Sequence, residues 1–349
     1  MKNVTIKDIA KKAGLTHQAV SYILKHKERL TGQKNADKVL KLVKELDYHP
    51  NYQARSLVTG KTECIGVAGG LINAMDNPAI SQSYAGIGKV VQQYQYNMTF
   101  FPVGPAATDP LMVKAVKSRM VDGLIIFVFS TMHESFRHET LPALRDTGVP
   151  VVALHSTTKK FPCHNVGYDS PRAGALATEH LLEQGIKSVG FIALKGEGRV
   201  YNDQLYQGYA KAMKKAGHPV HDLRYWSGPY QDTAVHGYDY GKKLVTGQIP
   251  EGLVVHADTF AYGLMDALKE AGIRVPEDVA IVSIDNVMKP ETIRTALTTV
   301  DRRFEERGLK AAEMLFIEIH DKKKAKKPMS YIAEPELIVR QSSLKARTA

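Results

Sequence analysis

From Cys64 onward, short apolar runs alternate with longer amphipathic ones, and this rhythm constrains the fold more than any other feature. Cys64–Ala68, Met98–Val103, Gly123–Phe129, Pro150–Leu154, Ser188–Ala193, Gly252–His256 and Val279–Ile284 read as buried strands. Helical patterns lie between most of them: Ile80–Tyr94, Pro110–Met120, Pro171–Gln184, Gln204–Ala216, Thr233–Thr246, Phe260–Ala271 and Arg303–Ile319. A last strand is expected over Ile332–Val339, after a solvated lysine-rich loop at Lys322–Lys327. Parallel strands need a crossover between them, and a helix supplies it. Roughly ten such units are too many for one comfortable sheet. The expected fold is therefore α/β, with two doubly wound parallel lobes. An N-terminal lobe is expected over 63–162 and 294–328, and a C-terminal lobe over 163–293 and 329–349.

The first 47 residues follow a different period and read as three short helices. Thr5 with Asp8 makes a capping-box start, and Ile6, Ile9, Ala10 and Ala13 then share one face. Gly14 stops that helix. Thr16 caps a second helix reaching about Lys25, with Ala19, Val20, Ile23 and Leu24 inward. A third, about Gln33–Leu46, carries Ala36, Val39, Leu40, Val43 and Leu46 at helical spacing. Each is too short to stand alone in water, so they must pack together. A helix, a glycine turn and a second helix are what a helix-turn-helix requires. Thr16, His17, Gln18, Ser21 and Tyr22 are then left outward, on the helix that enters a major groove. Gln18 suits bidentate pairing with adenine, His17 a guanine edge, and Tyr22 a base edge or phosphate. Residues 48–62 form a polar connector punctuated by Pro50 and Gly60, with a breaker-free stretch at Tyr52–Val58.

Charge supports a polyanion partner for the head. Residues 1–61 carry 13 Lys and Arg against 5 Asp and Glu, which is +8 of the chain's +11. Cys64 and Cys163 lie far apart, without metal-ligand spacing. No signal-like apolar region opens the chain, and no apolar stretch is long enough to span a bilayer, so a cytoplasmic protein without cofactor is expected. The motifs of phosphate-binding loops, dinucleotide folds and zinc proteases are absent. His133-Glu134 and His138 come near the last, but their spacing fails to share a helix face.

These residues resemble the lactose-repressor/galactose-repressor family of bacterial regulators. Val4, Thr5, Asp8, Ala10, Ala13, Gly14, Val20 and Ser21 fit its head signature. Tyr48, Pro50, Asn51, Ala54, Arg55, Leu57, Gly60, Thr62, Ile65 and Gly66 fit its hinge and first strand. The likeness runs on through Asp122, Val166, His256–Asn286, Ala296–Leu315 and Pro335–Ser342. The resemblance implies a homodimer on a pseudo-palindromic double-stranded operator, with residues 48–62 folding into a hinge helix there. It implies that Leu57 wedges into the minor groove, with Arg55 in that groove or on phosphate and Asn51 and Thr5 at the DNA. Tyr22 and Ala19 stand where many members have Arg and Thr, and Lys25 where asparagine is frequent, so the half-site is expected to differ from the common one. The C-terminal sequence lacks the leucine heptads that make some relatives tetramers.

The resemblance also implies a body like that of periplasmic sugar-binding proteins, with a sugar or sugar phosphate between the lobes. Ligands of open parallel sheets bind beyond the strands' carboxyl ends. Those ends give Asn73, Ser130, His155, Arg199, Asn202, Trp226, Asp258 and Asp285 as candidates. Asp258 matches a family position that hydrogen-bonds the effector. Trp226, the sole tryptophan, suits either a sugar face or the core. Asp285 suits a ligand contact or a structural cap, and His155 leans structural. An arginine that relatives carry is replaced here by Leu205, with Arg199 or Asn202 as substitutes. Two further readings stand: control by a protein co-regulator, and a transport binding protein, against which the basic head argues.

Overall fold

The computed structural model describes residues 4–25, 33–49, 56, 60–69, 78–101, 110–128, 133–155, 157–158, 160–195, 200–226, 233–287, 296–321 and 327–344. The chain divides into two compact units, Met1–Thr62 and Glu63–Ala349.

In the first unit, α1 (Ile6–Ala13) starts at the expected capping box. The Thr5 amide donates to Asp8 Oδ2 at 2.9 Å, and the Asp8 amide donates back to Thr5 Oγ1 at 3.4 Å. Gly14 ends the helix at φ 69, a conformation that costs a residue with a Cβ about 1–2 kcal/mol. The second helix, α2 (His17–Lys25), is entered through Thr16, whose Oγ1 accepts from the Ala19 amide at 3.2 Å. With α3 (Gln33–Glu45) these helices close on Ile9, Ala10, Ala13, Val20, Ile23, Ala36, Val39 and Tyr48.

The second unit holds two six-stranded sheets. The first runs β13-β5-β4-β3-β1-β2, where β1 is Cys64–Ala68, β2 Asn97–Phe101, β3 Gly123–Val128, β4 Val151–His155, β5 His164–Tyr168 and β13 Ser330–Ala333. All its pairings are parallel. The second runs β14-β12-β11-β10-β6-β8, with β6 Val189–Ile192, β8 His221–Asp222, β10 Gly252–Val255, β11 Ala280–Asp285, β12 Thr298–Asp301 and β14 Glu336–Ile338. Only β14 is antiparallel there. A two-stranded ribbon pairs β7 (Leu194–Lys195) with β9 (Tyr225–Trp226). Every residue of β3, β4, β10 and β11 is buried, as expected of parallel strands covered on both faces. No helix among the described residues is long and apolar enough to cross a membrane.

Strand pairing redraws the expected lobe bounds. β5 joins the first sheet, although the sequence predicts the C-terminal lobe from 163 onward, and β12 joins the second, although the sequence predicts the N-terminal lobe over 294–328. The single strand expected at Ile332–Val339 is two strands, one in each sheet. Pro335 lies between them, with no amide to continue a ladder. The chain therefore crosses between lobes at Asp169, at Arg302–Arg303 and at Glu334–Pro335.

The helices follow in order as α4 (Pro78–Gln93), α5 (Pro110–Lys117), α6 (Ser170–Glu183), α7 (Val200–Lys215), α8 (Ala234–Leu244), α9 (Asp258–Glu270) and α10 (Phe304–His320). A π-helical turn, Phe136–Thr140, lies in the helical stretch 133–145. α4 and α10 touch backbone to backbone: a Cβ at Gly86 would overlap the Glu305 carbonyl oxygen, and one at Gly308 the Ser83 carbonyl oxygen. The same reciprocal arrangement joins α6 to α7 and α8 to α9. Gly308→Ala is expected to cost ~1–3 kcal/mol, because backbone must yield rather than a flexible side chain. A lowered melting temperature of the body checks this; an unchanged one would mean that the helices can part freely.

Candidate DNA-reading head and ligand cleft

The head divides α2 into two faces. Val20 is fully buried and Ile23 nearly so, while Thr16, His17, Gln18, Ser21 and Tyr22 are exposed, Tyr22 to 54%. Tyr22 therefore stands outside the core of this small unit. Ala19, expected inward, is half-buried. The Thr5 hydroxyl is committed to its cap, donating to Asp8 Oδ2 at 2.7 Å, so that side chain shapes α1. Lys25 ends α2. Asn51, Arg55 and Leu57 lie outside the described residues, as do Asn73, Ser130 and Arg199 in the body. Trp226 sits in β9.

In the body, strand ends from both sheets converge where the chain crosses between lobes. Arg302 follows β12, and its Nη1 donates to Asp285 Oδ1 at 2.7 Å, at the end of β11. The Arg302 guanidinium carbon stands 4.2 Å from the Tyr201 ring centre, 4.6 Å from Phe304 and 5.2 Å from Tyr168. Arg307, on α10, donates to the His155 carbonyl at the end of β4, and its guanidinium lies 5.8 Å from the Tyr168 ring centre. Both arginines, Asp285, His155 and Tyr168 are buried. Burial pushes Asp285 up to about 7, against the pull of Arg302. The Tyr168 hydroxyl, Arg302 Nε and Asn202 Oδ1 have no hydrogen-bond partner among the described residues.

Two pairs of residues hold the lobes together beside this cluster. The Thr158 amide donates to Gln204 Oε1 at 3.2 Å, and Gln204 Nε2 donates to Thr158 Oγ1 at 3.1 Å. Gln82 Nε2 donates to the Asn286 carbonyl at 3.4 Å. Backbone strain collects here too: Asp285, Asn286 and Arg303 have φ of 151, 58 and 56. Such residues cost of order 1–3 kcal/mol each and gather at clamps and switches.

The structure brings some expected ligand residues together and gives others different work. His155 and Asp285 belong to the cluster. Asn202 stands beside it on α7, with Nδ2 donating to the Leu194 carbonyl at 2.9 Å. Asp258, expected at the ligand, is bonded within its own lobe. It accepts from Ser283 Oγ, from Thr299 Oγ1 at 2.7 Å and from the Val287 amide at 2.9 Å. Hydroxyl-bearing β11 and β12 flank it, so its oxygens are satisfied internally. Arg302, Arg307, Tyr168 and Tyr201 went unread in the sequence. Tyr168 and Arg302 sit at the ends of β5 and β12, so the strand-end rule would have reached them had those strands been recognised.

Residues 5–51 match the model for bacterial regulatory proteins of the lacI family, and residues 178–343 match that for a periplasmic binding protein-like domain. The chain belongs to the lacI family of bacterial regulatory proteins. It is a DNA-binding transcriptional regulator with a ligand-binding type of body. The HTH-type transcriptional repressor PurR of Actinobacillus pleuropneumoniae is 27% identical over 342 residues, covering 97% of this chain and 98% of that one. The lac repressor dimer bound to operator and the anti-inducer ONPF superposes with TM-score 0.80 at 22% identity, over 98% of this lacI-family chain and 100% of that one. The CelR–cellobiose complex superposes with TM-score 0.66 at 22% identity, over 97% and 100%. The fold is thereby that of lacI-family regulators, and head and body each have their counterpart.

Proposed function

We propose that this regulator represses transcription in the bacterial cytoplasm as a homodimer on a pseudo-palindromic operator, and that a small molecule between its lobes sets the affinity. The observation that carries the reading is the split face of α2, with Val20 and Ile23 held inside and Thr16, His17, Gln18, Ser21 and Tyr22 held outside. Two such heads fit two half-sites, and two-fold protein symmetry is mirrored in the operator. The hinge at 48–62 places Leu57 in the minor groove, with Arg55 and Asn51 beside it and Lys25 at phosphate. The ligand takes the space beside Asp285 and Asn202, and Asn73, Ser130, Arg199 and Trp226 are the further residues expected to meet it. A sugar skeleton suits it: relatives of this fold include a complex with cellobiose and one with ribose. It acts by preferring one lobe arrangement, since equal affinity for both would shift nothing.

An unbiased selection of double-stranded sites with the purified chain tests this reading. A bipartite, two-fold symmetric consensus is expected, and recovery of random sequence would overturn it. Gln18→Ala on the selected site is then expected to relax preference at one base position in each half by ~1–3 kcal/mol. The salt dependence of binding should stay nearly constant, because no phosphate contact is lost. A uniform weakening across all sites would instead place Gln18 on the backbone.

A further inference from the structure

Three buried polar atoms beside the crossings have no hydrogen-bond partner among the described residues: Tyr168 Oη, Arg302 Nε and Asn202 Oδ1. Their residues are 0%, 8% and 4% exposed, so bulk water does not meet them. Native interiors rarely leave such groups unmet. They gather about one guanidinium. Its carbon stands 5.2 Å from the Tyr168 ring centre and 4.2 Å from that of Tyr201, the residue before Asn202 on α7. What each atom can do is set by the bonds already made. Arg302 spends Nη1 on Asp285, and its Nε can only donate. Asn202 gives Nδ2 to the Leu194 carbonyl at 2.9 Å, so its amide oxygen is left over and can only accept. A phenol does either. The set therefore asks for a partner that accepts at one place and donates at another. A hydroxyl does both, whereas an ionised carboxylate has no hydrogen to give Asn202.

The three atoms also come from both lobes. Tyr168 ends β5 of the first sheet, while α7 packs on the second through Leu205 and Tyr209. A molecule bonded to Tyr168 and Asn202 together ties one lobe to the other. Gln204, two residues on from Asn202, already bonds Thr158 of the first lobe. We propose that Tyr168, Arg302 and Asn202 select the ligand through its hydroxyls. One hydroxyl oxygen accepts from Arg302 Nε and Tyr168 Oη, and another hydroxyl donates to Asn202 Oδ1. The inference rests on the reading that a small molecule lies between the lobes, and adds which side chains choose it.

Calorimetry on the purified full chain tests this with D-ribose, D-glucose, D-galactose and cellobiose, then with the monodeoxy forms of whichever sugar binds. Tyr168→Phe is expected to raise Kd for that sugar by ~10-fold, one hydrogen bond's share. One monodeoxy form should bind the variant and the parent chain equally, because the hydroxyl that Tyr168 meets is gone from it. Arg302→Lys keeps a cation for Asp285 but lacks Nε, and should raise Kd by ~10-fold or more. Without sugar, the body of the Tyr168→Phe chain should melt no lower than the parent's, since its hydroxyl has no bond to lose. A fall of ~3 °C or more there marks a hydroxyl bonded inside the chain and overturns the proposal. A deficit that persists in every deoxy form overturns it too. So does a sugar that Tyr168→Phe binds as tightly as the parent does, and the small-molecule reading then survives with other contacts. Binding of none of the sugars removes the sugar reading and the proposal together, so the two failures are told apart.

Discussion

Val20→Asp is expected to abolish operator binding while the body keeps its own melting transition. Val20 is fully buried beneath α2, among Ile9, Ala10, Ala13, Ala36 and Val39. A carboxylate there would be desolvated with no cation or donor in that apolar set, which costs several kcal/mol. A unit of this size has only ~3–5 kcal/mol to lose. The folded head would become a minor species, and apparent affinity falls in proportion to its population. A loss of at least ~10³-fold is expected in a gel-shift assay on the selected operator. The heat-induced transition of residues 63–349, followed by Trp226 fluorescence, should stay in place. Operator affinity within a few-fold of the parent chain would mean that Val20 does not face the interior.

Asp285→Ala should be the most damaging single change in the body. It removes the acceptor of the 2.7 Å bond from Arg302 and leaves that guanidinium buried between Tyr201, Tyr168 and Phe304. Cation–π contact returns only ~0.5–2 kcal/mol, against the 3–5 kcal/mol typical of a broken buried pair. The body's transition should shift down accordingly. Arg302→Met in the same chain should recover most of the loss, because the orphaned charge goes with it. A loss under ~1 kcal/mol for Asp285→Ala alone would show that solvent reaches Arg302.

Much of the architecture was readable from the chain because two periods dominate it. β1 was read to the residue, and β3, β10 and α10 to within one residue, since unbroken apolar runs mark strands buried on both faces. The capping box at Thr5 and the αL glycine at Gly14 were readable because local chemistry alone sets them. β5 and β12 were missed for the opposite reason. His-Asn-Val-Gly-Tyr and Thr-Thr-Val-Asp are buried strands made largely of polar residues, satisfied by partners distant in sequence. Asn165 is bonded by Ser330, and Thr298 by Arg340 and Ser343. Missing those strands moved the lobe bounds and hid Tyr168 and Arg302. The bonds of Asp258 were hidden for a related reason: a carboxylate at a strand end looks the same in sequence whether or not the hydroxyls of Ser283 and Thr299 reach it, as they do here.

The three passages between the sheets have a mechanical consequence. They are one, two and two residues long, so none has slack to let the halves drift apart or slide. What remains soft is a swivel about the line through the tethers. Arg302 is itself one tether, and Tyr168 is the root of another. Any change in the surroundings of either residue bears on the axle directly, without a relay through the packed interior.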